Sequence, residues 1–463
     1  MHRETAQDEL RRILDIAGGV RLSGVAQLDD TLPVSTLATT AVSALASAVD
    51  ALLRSTSVGS RSEARVDRGL VDAWLGRHVR PAQGSFPSPW DPFSGAFPTA
   101  DGSWIRTHAN APHHRAALLS ALALPDARTV EELSAAIADR GGEELESAIV
   151  AAGGAAAALR TRAEWMRSAP GAAVAAEPLI ARTETAPTRA GSTWHPESAR
   201  PLAGLRVLDL TRVIAGPAAT QVLAGLGADV LRIDPETWDE PAVLPYVMAG
   251  KRSARLDATT PAGRRLLADL LAAADVLVHG YRAGAVDRLG LGESERQRLR
   301  PGLVEVDVRA YGWSGPWAGR RGFDSLVQFS TGIADIGMRH ADAAAPVSLP
   351  VQALDWTTGY LAAAAAVAGV TRRHVTGRGS TWRLSLARTA HALTALAPEA
   401  PASASASASA SEGGADSVFG AGQRIETPDG ALLLAPPPFR VGEATLRFDR
   451  VATRLGGDAP AWL

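Results

Sequence analysis

From residue 205 onward short apolar runs alternate with amphipathic ones, and few folds accept that order. LRVLDL (205–210), DVLRID (229–234), DVLVHGY (275–281) and LVEVDVRAYG (303–312) read as strands; AATQVLAGLGA and PAGRRLLADLLAAA between them read as helices. Strands joined through helices imply parallel pairing, because a parallel partner is reached only by a crossover. The expected fold class is α/β, a doubly wound, Rossmann-like sheet with ligands at the carboxyl ends of its strands. Asp234, ending the second strand, stands where a dinucleotide fold has its ribose-binding acid. The first turn, TRVIAGP, lacks G-x-G-x-x-G, so it gives little support to NAD or FAD.

Other chemistry fits that first turn. Pro217 follows Ala215-Gly216 at a helix start, which leaves N–H groups able to take a phosphate or a thioester oxygen. Lys251-Arg252 and Arg288 lie in segments leading away from the sheet. They carry the charge to neutralise phosphates, although solvated surface is the commoner fate of such residues.

A second constraint lies downstream. VSLPVQALDWTTGYLAAAAAVAG (347–369) delivers one carboxylate, Asp355, to the first turn of an Ala- and Leu-rich helix. Backbone N–H groups are unpaired there and the helix dipole is positive. Asp355 has two readings: a cap, contributing about 0.5–2 kcal/mol, or a nucleophile that attacks an activated acyl carbon while N–H groups stabilise the oxyanion.

The 463 residues imply two or three domains. With 47 basic against 49 acidic residues, the net charge of −2 gives no reason to expect nucleic acid as a partner. The chain has no cysteine, which excludes disulfides, Cys-zinc sites and thiol nucleophiles and fits a cytoplasmic enzyme. MHRETAQDELRRIL has no apolar signal core, and TLPVSTLATTAVSALASAV is too weakly apolar for a convincing membrane span. A soluble protein without membrane partners is the expectation.

Elsewhere, residues 1–80 read as helical. LPVSTLATTAVSALASAVDALLR (32–54) aligns with LPVQALDWTTGYLAAAAAVAGVT (349–371), placing Ala38 opposite Asp355. The expectation is a duplicated unit, a degenerate repeat of 349–390, whose first copy lacks the carboxylate; the alternative is two Ala-rich helices that merely look alike. Residues 81–190, rich in Pro and aromatics, read as a small α/β domain, with 169–192 as a linker. His108, His113 and His114 in it show no metal-ligand spacing, and no metal is expected. A Rossmann-like unit over 201–395 follows, then a low-complexity Ala-Ser tether over 400–417. Residues 418–463 read as a tail packing back on the core.

PLAGLRVLDLTRVIAGPAATQVLAGLGADVLRID, GKRSARLD, YRAGAVDRLGL, RPGLVEVDVRAYGWSGPWAGRRGFDSLVQFSTGIA and LPVQALD, in this order, resemble the class III CoA-transferases, the CaiB/BaiF family. SGAFPTADGSWIRTHANAPHHRAALL resembles that family's small domain, which normally follows the CoA-binding part and here precedes it. The resemblance implies an acyl-CoA:carboxylate CoA-transferase, with coenzyme A as co-substrate, a small carboxylic acid as acceptor and a homodimeric assembly. It implies that Asp355 is the nucleophile, passing through an aspartyl-CoA thioester. It implies that Val213, Ile214 and Ala215 contact CoA near the thioester, and that Lys251, Arg252, Leu256, Tyr281 and Arg288 line the adenine, ribose and phosphate region. Phe323 stands where 2-methylacyl-CoA racemases of the family carry a catalytic His, which disfavours racemisation. Ile214 replaces the Gln of formate and oxalate transferases and suggests a larger or less polar acyl group. A non-catalytic CoA-binding protein is the alternative outside catalysis.

Overall fold

A computed structural model describes residues 14, 19–28, 31–55, 63–188, 194–281, 284–396, 419–452 and 454–463. The Ala-Ser tether lies outside the described residues. In chain order the strands are β1 (Val20–Ser23), β2 (Ala64–Asp67), β3 (Val79–Pro81), β4 (Ala96–Pro98), β5 (Trp104–Thr107), β6 (Ala156–Ala158), β7 (Ala181–Pro187), β8 (Arg206–Leu210), β9 (Asp229–Asp234), β10 (Arg252–Arg255), β11 (Val276–His279), β12 (Val304–Arg309), β13 (Arg378–Ser385), β14 (Gln423–Ile425), β15 (Leu432–Leu434) and β16 (Phe439–Val441).

The alternating pattern produces one seven-stranded sheet, ordered β10-β9-β8-β11-β12-β13-β7. Its first six strands are parallel, and counted along the chain their order is 3-2-1-4-5-6, the doubly wound arrangement. β7 closes the edge antiparallel to β13. That strand corrects the linker expected over 169–192. Its side chains are mostly exposed, so it lacks the apolar alternation that marks a strand in sequence. The helix Ala169–Ala176 precedes it.

The long helix Ala353–Thr376 runs through the centre and is almost wholly buried. Ala362–Ala366 are at most 1% exposed. Side chains this small let the helix lie close to β12, β13, the helix Ala215–Gly225 and the N-terminal helix Val34–Arg54. The last of these is long and apolar enough to cross a membrane by length and composition, but its apolar surface is covered inside the fold.

Residues 1–80 are not purely helical, as the sequence suggests. β1, the helix Val34–Arg54 and β2 form a parallel β-α-β unit whose four-residue strands are too short to show a period. The same order recurs in β12, the helix Ala353–Thr376 and β13. Both helices leave a turn of the same shape, with φ −76° and ψ 65° at Pro33 and φ −75° and ψ 64° at Gln352. Matching the turns puts Thr36 in the place of Asp355, two residues from the sequence alignment's Ala38. Neither residue carries a carboxylate.

The small domain is the antiparallel sheet β4-β5-β6 with the helices Pro112–Ala121, Val130–Ala138 and Gly142–Ala151. It has its own core around Phe97, Ile105, Leu133 and Ile149. It is shorter than 81–190, because Trp165, Val174 and Ile180 belong to the main core. The C-terminal segment ties the parts together: β15 pairs with β3 and β14, and β16 pairs with β2.

Candidate active site

In a 3-2-1-4-5-6 sheet the connections from strands 1 and 4 leave in opposite directions, which opens a crevice at their carboxyl ends. Here those strands are β8 and β11, and a cleft of about 410 Å³ lies there. Thr211, Val213, Ala215 and Gly216 after β8, Tyr281 after β11, His113 and His114 of the small domain, Phe323 and Asp355 line it.

Asp355 is 6% exposed. It does not cap its helix. Gln352 is the N-cap residue and makes no side-chain cap bond. The orphan donors are taken in trans by Asp324, whose Oδ2 accepts from the Asp355 N–H at 2.9 Å and which also accepts from the Leu354 N–H. The Asp355 carboxyl has no hydrogen-bond partner among the described residues. Burial, and then the adjacent Asp324, push its pKa well above the usual carboxylate range. Burial also raises Asp324, to about 6, against hydrogen bonds from Gln328, Asp355 and Leu354 and the charge of Arg106.

The turn after β8 is held in an unusual shape. Val213 has φ +68°, costly for a β-branched residue. Its N–H donates to Glu240 at 3.1 Å, and Glu240 accepts from Arg232 at 2.5 Å and from Trp238 at 3.1 Å. Gly216 is needed here because a Cβ would stand 2.4 Å from the Thr211 side chain. The first N–H groups of the helix Ala215–Gly225 have no intrahelical acceptor, and Ala215 and Gly216 face the cleft. That is the arrangement an oxyanion requires. Gly359, one turn beyond Asp355, lets the two helices touch, which brings the carboxyl to these donors.

Phe323 stacks on His108 with centroids 3.6 Å apart and planes at 3°, and meets the edge of His114 at 5.6 Å. Burial, with His114 and Arg106 nearby, drops His108 to about 3, so it is neutral at physiological pH. Arg212 lies over Trp238 at 4.8 Å and Tyr281 at 5.9 Å, 3.6 Å from Asp234.

Of the residues expected at the site, Asp355, Val213, Ala215 and Tyr281 line the cleft. Ile214 is the N-cap of the helix Ala215–Gly225 and its side chain packs on the core. Four others lie outside the lining of this cleft. Lys251 is fully buried, with Nζ 3.0 Å from Asp209 and 2.7 Å from the Pro217 carbonyl; burial lowers it to about 8. Arg252 grips Asp229 through both nitrogens at 2.8–3.0 Å and the Ala461 carbonyl at 2.7 Å, at the amino end of β9. Leu256 packs on a hydrophobic cluster, and Arg288 is exposed outside the lining. Among the described residues no group of three or more His, Asp or Glu is placed to hold a metal.

Sequence reasoning missed Asp324, Glu240 and Arg212. The block RRGFDSL contains Asp324 beside Phe323, but nothing local ties it to a helix start 31 residues later.

The chain matches the model of CoA-transferase family III over residues 41–191 and 202–436. It is 34% identical over 197 residues to a succinyl-CoA:glutarate CoA-transferase of Mus musculus, covering 40% of this chain and 44% of that protein. It is 31% identical over 191 residues to a formyl-CoA:oxalate CoA-transferase of Streptomyces avermitilis, covering 38% and 46%. A crystal structure of Rv3272 from Mycobacterium tuberculosis matches at 31% identity and a TM-score of 0.40, covering 43% of this chain and 59% of that one. The chain thus spans less than half the length of these curated relatives. With its doubly wound sheet and the cleft at the switch point, this chain belongs to CoA-transferase family III.

Proposed function

We propose that the protein is an acyl-CoA:carboxylate CoA-transferase in which Asp355 is the nucleophile. The observation that carries this reading is a buried carboxyl without a hydrogen-bond partner among the described residues, lining the same cleft as Ala215 and Gly216 at the start of the helix Ala215–Gly225. CoA would enter along the ends of β8 and β11, with Val213 and Ala215 near the thioester and Tyr281 and Arg212 further out. Arg212 and Arg309 also line the cleft, the first 3.6 Å from Asp234 and the second 2.7 Å from Asp307.

An Asp355 oxygen attacks the thioester carbon, the C–S bond breaks and CoA leaves as thiolate, giving a mixed anhydride. The thiolate then attacks the Asp355 carbonyl carbon and releases the donor acid, leaving an aspartyl-CoA thioester. The acceptor carboxylate attacks that thioester, and the thiolate freed again attacks the acceptor's acyl carbon. The products are a new acyl-CoA and the original carboxylate. Thioester energy is kept throughout, because no step admits water.

Intact-protein mass spectrometry after incubation with acyl-CoA thioesters tests this. A hydroxylamine-sensitive adduct at Asp355, absent from Asp355→Asn, is the expected result. CoA binding without an adduct from any donor favours the non-catalytic reading.

One observation favours a second reading, exchange of the α-proton of an acyl-CoA. Phe323 cannot act as a base, but His114 lines the same cleft as Asp355. Deuterium incorporation at the α-carbon without an adduct selects it.

A further inference from the structure

The helix Asp324–Ser330 clamps the turn that launches Asp355. Gln328 Oε1 accepts from the Leu349 N–H at 2.8 Å, and Asp324 Oδ2 accepts from the Asp355 N–H at 2.9 Å. Gln328 Nε2 donates to Asp324 Oδ1. Asp324 is 1% exposed, and both its oxygens accept, which favours its anion. The Asp355 carboxyl has no such donors. Of two adjacent buried acids it therefore holds a proton more firmly, because like charges this close resist ionising together.

We propose that Asp324 is a positioning residue, fixing the start of the helix that carries Asp355 and keeping Asp355 protonated in the empty cleft, so that loss of this proton gates attack on the thioester. The proposal rests on Asp355 being the nucleophile. The pair holds one proton at rest, on Asp355; it passes to solvent, and the freed oxygen lone pair attacks the acyl carbon while the C–S electron pair leaves with sulfur.

Other groups around the pair set its background. Arg106 on β5 is the cation that acts on Asp324, and His108 beneath Phe323 is neutral. His113, His114, Arg320 and Arg321 line the cleft on the small-domain side. Arg212 and Arg309 line it at the sheet ends. Arg106 lowers Asp324 by its charge, so its removal moves the titration opposite to the removal of Asp324.

The test combines two readouts on the full-length protein. Infrared titration without substrate follows a protonated carboxyl, and single-turnover labelling with acyl-CoA thioesters follows adduct formation. The expected wild-type result is a protonated-carboxyl band, missing from Asp355→Asn, that persists above the ordinary carboxylate range and disappears as pH rises further while the labelling rate climbs. Asp324→Asn should lower the midpoint of both by about one pH unit or more, and so label about tenfold faster than wild type at the acid end. Arg106→Gln should raise the midpoint. If both variants lose rate equally at every pH with midpoints unmoved, the role is only structural and the proposal falls. If Asp324→Asn does not fold, the wild-type and Arg106→Gln titrations still decide. If no thioester in a panel that runs from acetyl-CoA and succinyl-CoA to long-chain acyl-CoA labels the wild type at any pH, the nucleophile reading fails, and the infrared titration separately judges where the proton resides.

Discussion

A Cβ atom on Gly359 would stand 2.6 Å from the carbonyl oxygen of Ala215, so the helix that carries Asp355 lies in backbone contact with the turn after β8. This contact puts the carboxyl and the free N–H groups in one place. Gly359→Ala would force them apart, since the new methyl would also meet Ala218 Cβ at 3.0 Å. Overpacking of this kind costs about 1–3 kcal/mol, and a displacement of about 1 Å at the reacting groups costs about 100-fold in rate. Thermal unfolding and adduct formation at Asp355 should show both losses. An unchanged labelling rate would mean that the contact does not position the site.

Lys251 separates a structural role from a ligand role. Its ammonium is the buried counter-ion of Asp209, which also accepts from Thr211 and Thr220. Lys251→Met would strand that carboxylate, and breaking a buried pair in this way costs about 3–5 kcal/mol. CoA affinity, measured by calorimetry on the folded fraction, should stay at the wild-type value. A substantial loss of affinity at unchanged stability would restore Lys251 to the phosphates.

Glu146 fastens the small domain to the main body. At 3% exposure it accepts from Arg160 at 2.5 Å and from Arg320 at 2.6 Å, and Arg320 lines the cleft. Glu146→Gln would leave two arginines facing one neutral amide, again at about 3–5 kcal/mol. Thermal unfolding should show this, with earlier protease cleavage between residues 96 and 158.

Asp355 should make the protein less stable as the solution becomes alkaline. Its folded pKa is raised, so the native chain holds a proton there that the unfolded chain releases near its ordinary value. The stability this provides is complete below about pH 4 and is lost as pH rises through the folded value. Asp355→Asn has no such loss. Denaturant unfolding should therefore find that the stability of the wild type relative to Asp355→Asn falls as pH rises from about 4 to 8. An unchanged difference between the two proteins at both pH values would mean that neither burial nor Asp324 holds a proton on Asp355.

The parts that sequence conveyed were those with a local signature. The run of strands and helices from residue 205 gives the doubly wound sheet, because chain connectivity leaves parallel strands no other route. Asp355 in a first helical turn follows from the Ala-rich run after it, and the repeated LPV segments correspond to two helices that pack on each other. β1, β2 and β7 were illegible, because strands of four residues or with exposed faces carry no period.

What the site does with those residues was settled only in three dimensions. Whether Lys251 meets a phosphate or a buried aspartate depends on Asp209, 42 residues away, and nothing in GKRSARLD records that partner. The reading of Asp355 as a cap or a free carboxyl turned on Asp324, which fills the cap from another helix. His114 and Phe323 come from separate segments and meet across one cleft. Local pattern determines which element a residue joins, because backbone propensity and burial period act over a few neighbours. Protonation, exposure and partners come from atoms distant in sequence, and so the tertiary structure alone decided which carboxyl is left without a cap to make and faces the cleft.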